Sequence, residues 1–320
     1  MANASEVALA VELLARIQAP STATSYQAVD DLFRAEEALR DALDAHLDKE
    51  ANRWSMRLVR SQLEFPYQCQ TRFGLPSVNG VHVDLGCGSH NPLGRMFVHM
   101  MLGAREGICI DLDTPLDLAR ALRHLARLAT TALLEPDRLF PSMPITREQI
   151  LLNIADFDLA RLSKGDPAGL SPRLRLIQGS IVETGLPDAS VDAIFSNSVL
   201  EHLPDVDAAL REWRRIIRPG GCALHGIDMK DHRCYGDPQI HPLEFLTDPP
   251  GPAILYNCNR LRLCDYDRKF TRGGFTTLDA RRISPVDVPA TLRSRMAAPW
   301  RDLPEEALRY TWGFYLLRRD

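Results

Sequence analysis

Val81-His82-Val83-Asp84-Leu85-Gly86-Cys87-Gly88 joins an apolar run to a glycine-rich turn. Val81–Leu85 is a short apolar run of the length and residue type that suit a strand. It passes directly into two glycines one residue apart. Glycines there let the backbone turn tightly and let a ligand approach without meeting a side chain. A helix is expected next, over Pro92–Gly103. Asn91 would cap it, Pro92 suits its first turn, and Gly103 suits its end. Leu93, Met96, Phe97, Met100 and Met101 would form its buried stripe. A glycine loop between a strand and a helix N-terminus favours a nucleotide or a carboxylate.

Working outward, strands and helices alternate, the pattern of a parallel sheet covered by helices. Further strands are expected at Ile108–Asp111, Leu174–Gln178, Val191–Ser196 and Cys222–Ile227, and two more at Arg282–Val286 and Phe314–Leu317. Asp205 would cap a helix running to Ile217, and Arg218-Pro219-Gly220-Gly221 would turn the chain into the fifth strand. Between the second and third strands, Asp113 to Arg173 is roughly sixty residues, far beyond the usual connection of roughly 2–6 residues. Helical patterns around Leu118–Leu134 and Arg147–Leu162 make this a helical insertion. Residues 1–80 are expected to form a helical appendage. In it Val29, Leu32, Ala35, Leu39, Leu43 and Leu47 recur at helical spacing. The appendage and the insertion are expected to cover the substrate side, and residues 81–320 to form the main domain.

Asp111 ends the second strand, where a carboxylate can accept both hydroxyl protons of a ribose. A dinucleotide fingerprint needs a third glycine three residues after Gly88, for close packing beneath a pyrophosphate. Asn91 stands there instead. A nucleoside cofactor without a pyrophosphate fits better.

Val83–Gly88 resembles the first motif of the class I S-adenosylmethionine (SAM)-dependent methyltransferases. The resemblance continues through Ile110-Asp111, Leu186-Pro187-Asp188, Asp192–Leu203 and Arg218-Pro219-Gly220-Gly221, in the family's order. It implies a Rossmann-like α/β fold, a seven-stranded, mostly parallel sheet with helices on both faces. It also implies SAM as cofactor and residue roles. Asp84, Gly86, Cys87 and Gly88 would face the methionine moiety and Asp111 the ribose. Gly179, Ser180 and Ile181 would border the adenine, with a serine at 180 where the family usually has an acid. Ser196 and Asn197 would lie under the sulfonium.

Methyl transfer from a sulfonium needs alignment first, and a base only if the nucleophile must lose a proton. The stretch from His225 to His241 gathers three histidines with Asp228, Asp231 and Asp237 at the expected acceptor edge. The base is expected to be His232 first and His241 second, with His202 as a rival. A divalent cation on Asp228, Asp231 and a histidine is the competing mechanism, but the spacing matches no sharp metal signature, so no metal is assigned. Arg260 or Arg262 could hold an anionic substrate through a bidentate contact, against the plainer reading of both as the solvated start of a helix.

The net charge of −4 argues against a nucleic-acid partner. The arginines at 211, 214, 215 and 218 read as a solvated helix face. Seven scattered cysteines without a CxxC pair suggest neither a zinc site nor a disulfide framework. Glu6 and Glu12 in the first apolar stretch argue against a secretory leader. No apolar run reaches a membrane span, so no membrane is expected and the cytoplasm is the expected location. The expected partner is a small-molecule acceptor, with a homodimer allowed. The function read from the sequence is methyl transfer to a small molecule at a hydroxyl oxygen, of sugar or natural-product type. Two alternatives stand beside it. One is an RNA or protein methyltransferase, disfavoured by Ser196-Asn197-Ser198-Val199 where Asn/Asp-Pro-Pro-aromatic would be expected. The other is a SAM-binding regulatory protein without turnover.

Overall fold

The computed structural model describes Arg72 and residues 79–140, 143, 145–251 and 253–320. The expected appendage over residues 1–80 therefore lies almost wholly outside the described residues. Seven strands are described: β1 (Val81–Leu85), β2 (Glu106–Asp111), β3 (Leu174–Gln178), β4 (Val191–Asn197), β5 (Ile217–Asp228), β6 (Phe275–Pro285) and β7 (Tyr310–Arg319). They form one sheet in the order β3-β2-β1-β4-β5-β7-β6. Every pairing up to β5 for which a register is resolved is parallel, and β7 runs antiparallel to both β5 and β6. The labelled helices are α1 (Gly94–Met101), α2 (Leu118–Leu134), α3 (Arg147–Asn153), α4 (Leu159–Ser163), α5 (Val206–Ile216), α6 (Leu263–Arg272), α7 (Ala290–Arg295) and α8 (Glu305–Arg309). The chain divides into two compact units, residues 1–70 with 87–178, and residues 71–86 with 179–320.

In the first unit β2 and β3 pair from Gly107↔Leu174 to Asp111↔Gln178. Against them packs α1, whose Met96, Phe97, Met100 and Met101 are fully buried. It begins two residues later than expected. Asn91 does not cap it with its side chain; instead its carbonyl accepts the Gly94 N–H at 3.4 Å and closes a turn. The insertion is built as core. The α2 helix buries Leu122, Leu125, Leu128, Ala129 and Ala132, and Asp117 caps it by accepting the Arg120 N–H at 2.8 Å. The second helical pattern is two helices. A Thr146–Gln149 capping box starts α3, and Asp158 starts α4 by accepting the Arg161 N–H at 3.0 Å. A side-chain cap inside an apolar pattern offers the backbone a new start, which periodicity alone does not reveal. Arg173 closes the insertion, donating to Asp156 through Nε at 2.8 Å and to the Asn153 carbonyl at 2.8 Å.

In the second unit β1 pairs with β4 and β4 with β5. Asp205 caps α5, accepting the Ala208 N–H at 3.0 Å, as expected. That helix drives Trp213 into the core, where its indole donates to the Ile181 carbonyl at 2.9 Å. His225 lies flat between Trp213 and Phe270, with ring centroids 4.8 and 6.0 Å away. Burial lowers its pKa to about 3, so it stays neutral. The last two strands run longer than expected because their hairpin ladder extends past the buried residues: β6 is largely exposed from Arg281 onward. A smaller apolar cluster of Leu243, Phe245, Leu246, Cys258, Leu292, Met296 and Leu308 holds the segments that follow β5 and β6. Among the described residues no helix is long and apolar enough to cross a membrane.

Candidate functional site

In the first unit the site is built on the end of β2. Gly88 has φ +77, and a Cβ added there would meet nothing within 4 Å. Its N–H donates to Asp111 Oδ2 at 2.7 Å, while the Asp113 N–H donates to Oδ1 at 3.0 Å. The Cys87 N–H donates to the Ile110 carbonyl at 3.3 Å, and the Leu116 N–H to the Ser89 carbonyl at 2.9 Å. Two backbone donors thus fix the Asp111 carboxylate, and each oxygen keeps a lone pair for a further donor. An oriented, half-exposed carboxylate beside an open glycine suits a vicinal diol. The pair therefore fits a ribose-bearing cofactor.

In the second unit Asp84 is buried near the end of β1, opposite Phe195 of β4. Gly86 has φ +73, and a Cβ there would sit 2.4 Å from Val199 Cγ2. Glycine is required on both counts. Ser180 spends its hydroxyl on its own turn, accepting the Val182 N–H at 3.2 Å, and Ile181 is buried. Ser196 does not offer its side chain to a ligand. Its hydroxyl is 2.8 Å from His225 Nδ1 in the core, so only its backbone remains. Asn197 ends β4, with Nδ2 3.3 Å from the Ser198 hydroxyl.

The expected acceptor residues separate. His241 has both ring nitrogens engaged: the Leu243 N–H donates to Nδ1 at 3.1 Å, and Nε2 donates to the Asp287 carbonyl at 3.0 Å. That commits it to holding a loop. His202 and His232 come together, their rings 5.1 Å apart edge to face. His202 Nδ1 is 2.6 Å from the Asn257 carbonyl. A carbonyl only accepts, so Nδ1 carries the proton and Nε2 keeps the basic lone pair. His232 Nε2 has no hydrogen-bond partner among the described residues and lies 3.8 Å from Asp228 Oδ2. Burial, its largest influence, holds its pKa below the ordinary histidine value. Asp228 accepts from the Tyr235 hydroxyl, and Asp231 is gripped by both ends of Arg233. No cluster of three His, Cys, Asp or Glu side chains fit to hold a metal occurs among the described residues.

Glu201 joins this group, and the sequence reading gave it no role. It is 1% exposed, its Oε1 accepts the Asp228 N–H at 3.3 Å, and its Oε2 has no hydrogen-bond partner among the described residues. Burial, aided by the Asp228 charge, pushes its pKa up to about 8. The available signal was an acid inside the apolar run Val199-Leu200-Glu201-His202-Leu203. Arg260 and Arg262 do not face a substrate. Arg260 donates to the Asp248 and Pro249 carbonyls, both at 3.2 Å, under the Trp300 ring. Arg262 is wholly buried and donates to the Met229 and Tyr310 carbonyls at 2.6 and 3.0 Å. Both clamp backbone that has lost its water.

With this geometry in place, residues 152–224 match the family model described as a methyltransferase domain. A probable S-adenosylmethionine-dependent methyltransferase of Mycolicibacterium smegmatis is 43% identical over 135 residues, covering 40% of this chain and 51% of that protein. The ubiquinone/menaquinone biosynthesis C-methyltransferase UbiE of Caulobacter sp. (strain K31) is 31% identical over 105 residues, covering 33% of this chain and 37% of that protein. The matches thus span about a third to a half of these relatives. Among solved structures, geranyl diphosphate C-methyltransferase from Streptomyces coelicolor A3(2) aligns with 86% of this chain and 88% of its own, at 14% identity and a TM-score of 0.44. Over this part of its length the chain is similar to SAM-dependent methyltransferases.

Proposed function

We propose that this protein transfers a methyl group from SAM to a carbon atom of a small-molecule acceptor. The observation that carries the cofactor half is the Asp111 carboxylate, fixed by the Gly88 and Asp113 N–H groups beside an open glycine. Asp111 and Gly88 would hold the ribose. Asp84, Gly86, Cys87, Gly179, Ser180, Ile181, Ser196 and Asn197 keep their assignments to the same cofactor, Ser196 through its backbone alone. Bound SAM would supply a methyl group already activated on a sulfonium.

The protein's own chemistry is then to place the acceptor and take its proton. His202 is the base we assign first. Its Nδ1–H is anchored on the Asn257 carbonyl, which fixes the ring and leaves Nε2 to accept. His232 and Asp228 stand behind it as the groups able to stabilise the resulting charge. His241 is withdrawn from the role, because both its nitrogens are engaged.

Carbon replaces the hydroxyl acceptor expected from the sequence. The relatives whose names specify an atom are C-methyltransferases, which gives oxygen no support. The test is incubation of the protein with methyl-labelled SAM and a metabolite extract, followed by carbon NMR of the labelled product. A methyl resonance bonded to carbon supports the proposal. A methoxy resonance refutes the choice of atom, and absence of any labelled product or S-adenosylhomocysteine favours a binding protein without turnover.

A further inference from the structure

The second unit holds a cavity of about 570 Å³ that the methyl-transfer chemistry does not use. It opens beside Ile217, at the end of β5 remote from Asp228, so the whole strand separates it from the histidine pair. Arg211, Arg214, Arg215, Arg272 and Arg319 line it, with Asp188 as the acid among the lining side chains. The sequence read the first three as a solvated helix face. The fold instead gathers them from α5, α6 and β7 around one concavity.

Their partners are unevenly shared. Arg215 is satisfied, donating to Glu212 through Nε and Nη2, both at 2.8 Å, and to Asp188 at 2.5 Å. Among the described residues Arg211 has only a long pair to Asp205 at 3.8 Å. Arg319 gives one Nη to the Ile217 carbonyl, and its Nε is buried without a hydrogen-bond partner. Arg214 and Arg272 make no ion pair among the described residues. Arg214 is nonetheless held: Gly274 has φ +81, and a Cβ there would lie 2.4 Å from Arg214 Nε, so the guanidinium rests against bare backbone. Arg214 and Arg272 sit in the last turns of α5 and α6, where the helix dipole favours cations. That accounts for arginine at each helix end, but not for the convergence of spare guanidinium groups on one cavity. Planar forks with unspent donors match phosphate oxygens in pairs, and their mutual repulsion is relieved only by an anion.

We propose that this cavity binds a small oligophosphate anion, separately from SAM and the methyl acceptor. Several linked phosphoryl groups match the number of spare forks and the size of the cavity better than a single one. The site is independent of the methyltransferase reading, since it shares no residue with it.

The test is calorimetry of inorganic pyrophosphate binding to the full chain at physiological salt. Three proteins are compared: the wild type, the double variant R214A/R272A, and the control R161A, which removes an exposed arginine of the first unit. Thermal unfolding of each reports whether the fold is intact, and SAM binding to each is measured beside it. The expected result is pyrophosphate binding that weakens at least tenfold in R214A/R272A, is unchanged in R161A, and leaves SAM affinity the same in all three. No binding to the wild type at millimolar pyrophosphate overturns the proposal. So does equal binding by R214A/R272A, or equal loss in R161A, which would mean diffuse attraction to surface charge. If SAM binding fails in all three while pyrophosphate follows the expected pattern, the methyltransferase reading falls and this one stands.

Discussion

Glu201→Gln should make the protein more stable at neutral pH, and by an amount that depends on pH. The side chain is 1% exposed and burial raises its pKa from 4.5 to about 8. In the unfolded chain it ionises above about 4.5, whereas in the folded protein it must keep its proton up to about 8. The folded pKa is the raised one, so its contribution to stability is complete below pH 4.5. It declines between pH 4.5 and 8 and is lost above that. At pH 7 the cost of holding the proton is about 2.5 units at 1.36 kcal/mol each, or about 3 kcal/mol. Glutamine has nearly the same shape and never ionises. Its own fit adds a constant offset, but the difference between the two proteins must grow by about 3 kcal/mol in the variant's favour from pH 4.5 to 7. Urea unfolding of both proteins at half-unit intervals from pH 4.5 to 8 measures this directly. Because all other titrating groups are shared, they cancel in the difference. A difference that stays flat over that range would refute the reasoning and mean that Glu201 is ionised in the folded state.

Other outcomes follow from the same geometry. Asp111→Ala should weaken SAM binding by about 1.5–3 kcal/mol, the worth of hydrogen bonds to a charged group; an unchanged dissociation constant would move the ribose site elsewhere. Gly86→Ala should destabilise the fold by about 1–3 kcal/mol through positive φ and the clash with Val199, and adding Val199→Ala should recover the clash component alone; an undisturbed melting temperature would contradict this. His202→Ala and His232→Ala should lower turnover with SAM binding intact, His202→Ala by on the order of a hundredfold, whereas His241→Ala should keep near-normal turnover. His225 has a folded pKa of about 3 against 6.5 unfolded, so its contribution is present above pH 6.5 and lost as pH falls toward 3. His225→Phe should therefore remove a slope of about 1.4 kcal/mol per pH unit below pH 6, read from denaturation at pH 6 and 5.

Local signals in this sequence are dense where backbone chemistry is simple. The run Val81–Leu85, the strand at Leu174–Gln178 and the helix Leu118–Leu134 were legible to the residue, because apolar patterning and capping groups agree there. The positive φ of Gly86 and Gly88 and the place of Asp111 at the end of β2 were legible, because a glycine pair after a strand and an acid closing the next one leave few other arrangements. What escaped depended on long-range partners. Spacing places His241 beside His232, but only the Asp287 carbonyl, 46 residues on, reveals that its ring is spent. Ser196 alternates onto a face of β4, and pairing with β5 decides that the face is the one holding His225. Arg260 and Arg262 looked available because arginines usually are. Buried carbonyls on Pro249, Met229 and Tyr310 claim them, and nothing in their own neighbourhood announces that. Glu201 is the reverse case: an acid in an apolar run was visible, but its unpaired oxygen appears only once β5 delivers Asp228 beside it.

The central claim is that the glycine loop and Asp111 receive SAM and not a dinucleotide. Calorimetric titration of the purified chain with SAM, S-adenosylhomocysteine and NAD tests it most directly. Saturable binding of SAM and S-adenosylhomocysteine is expected, lost or sharply weakened in Asp111→Ala, with no binding of NAD. Binding of NAD without binding of SAM would contradict it.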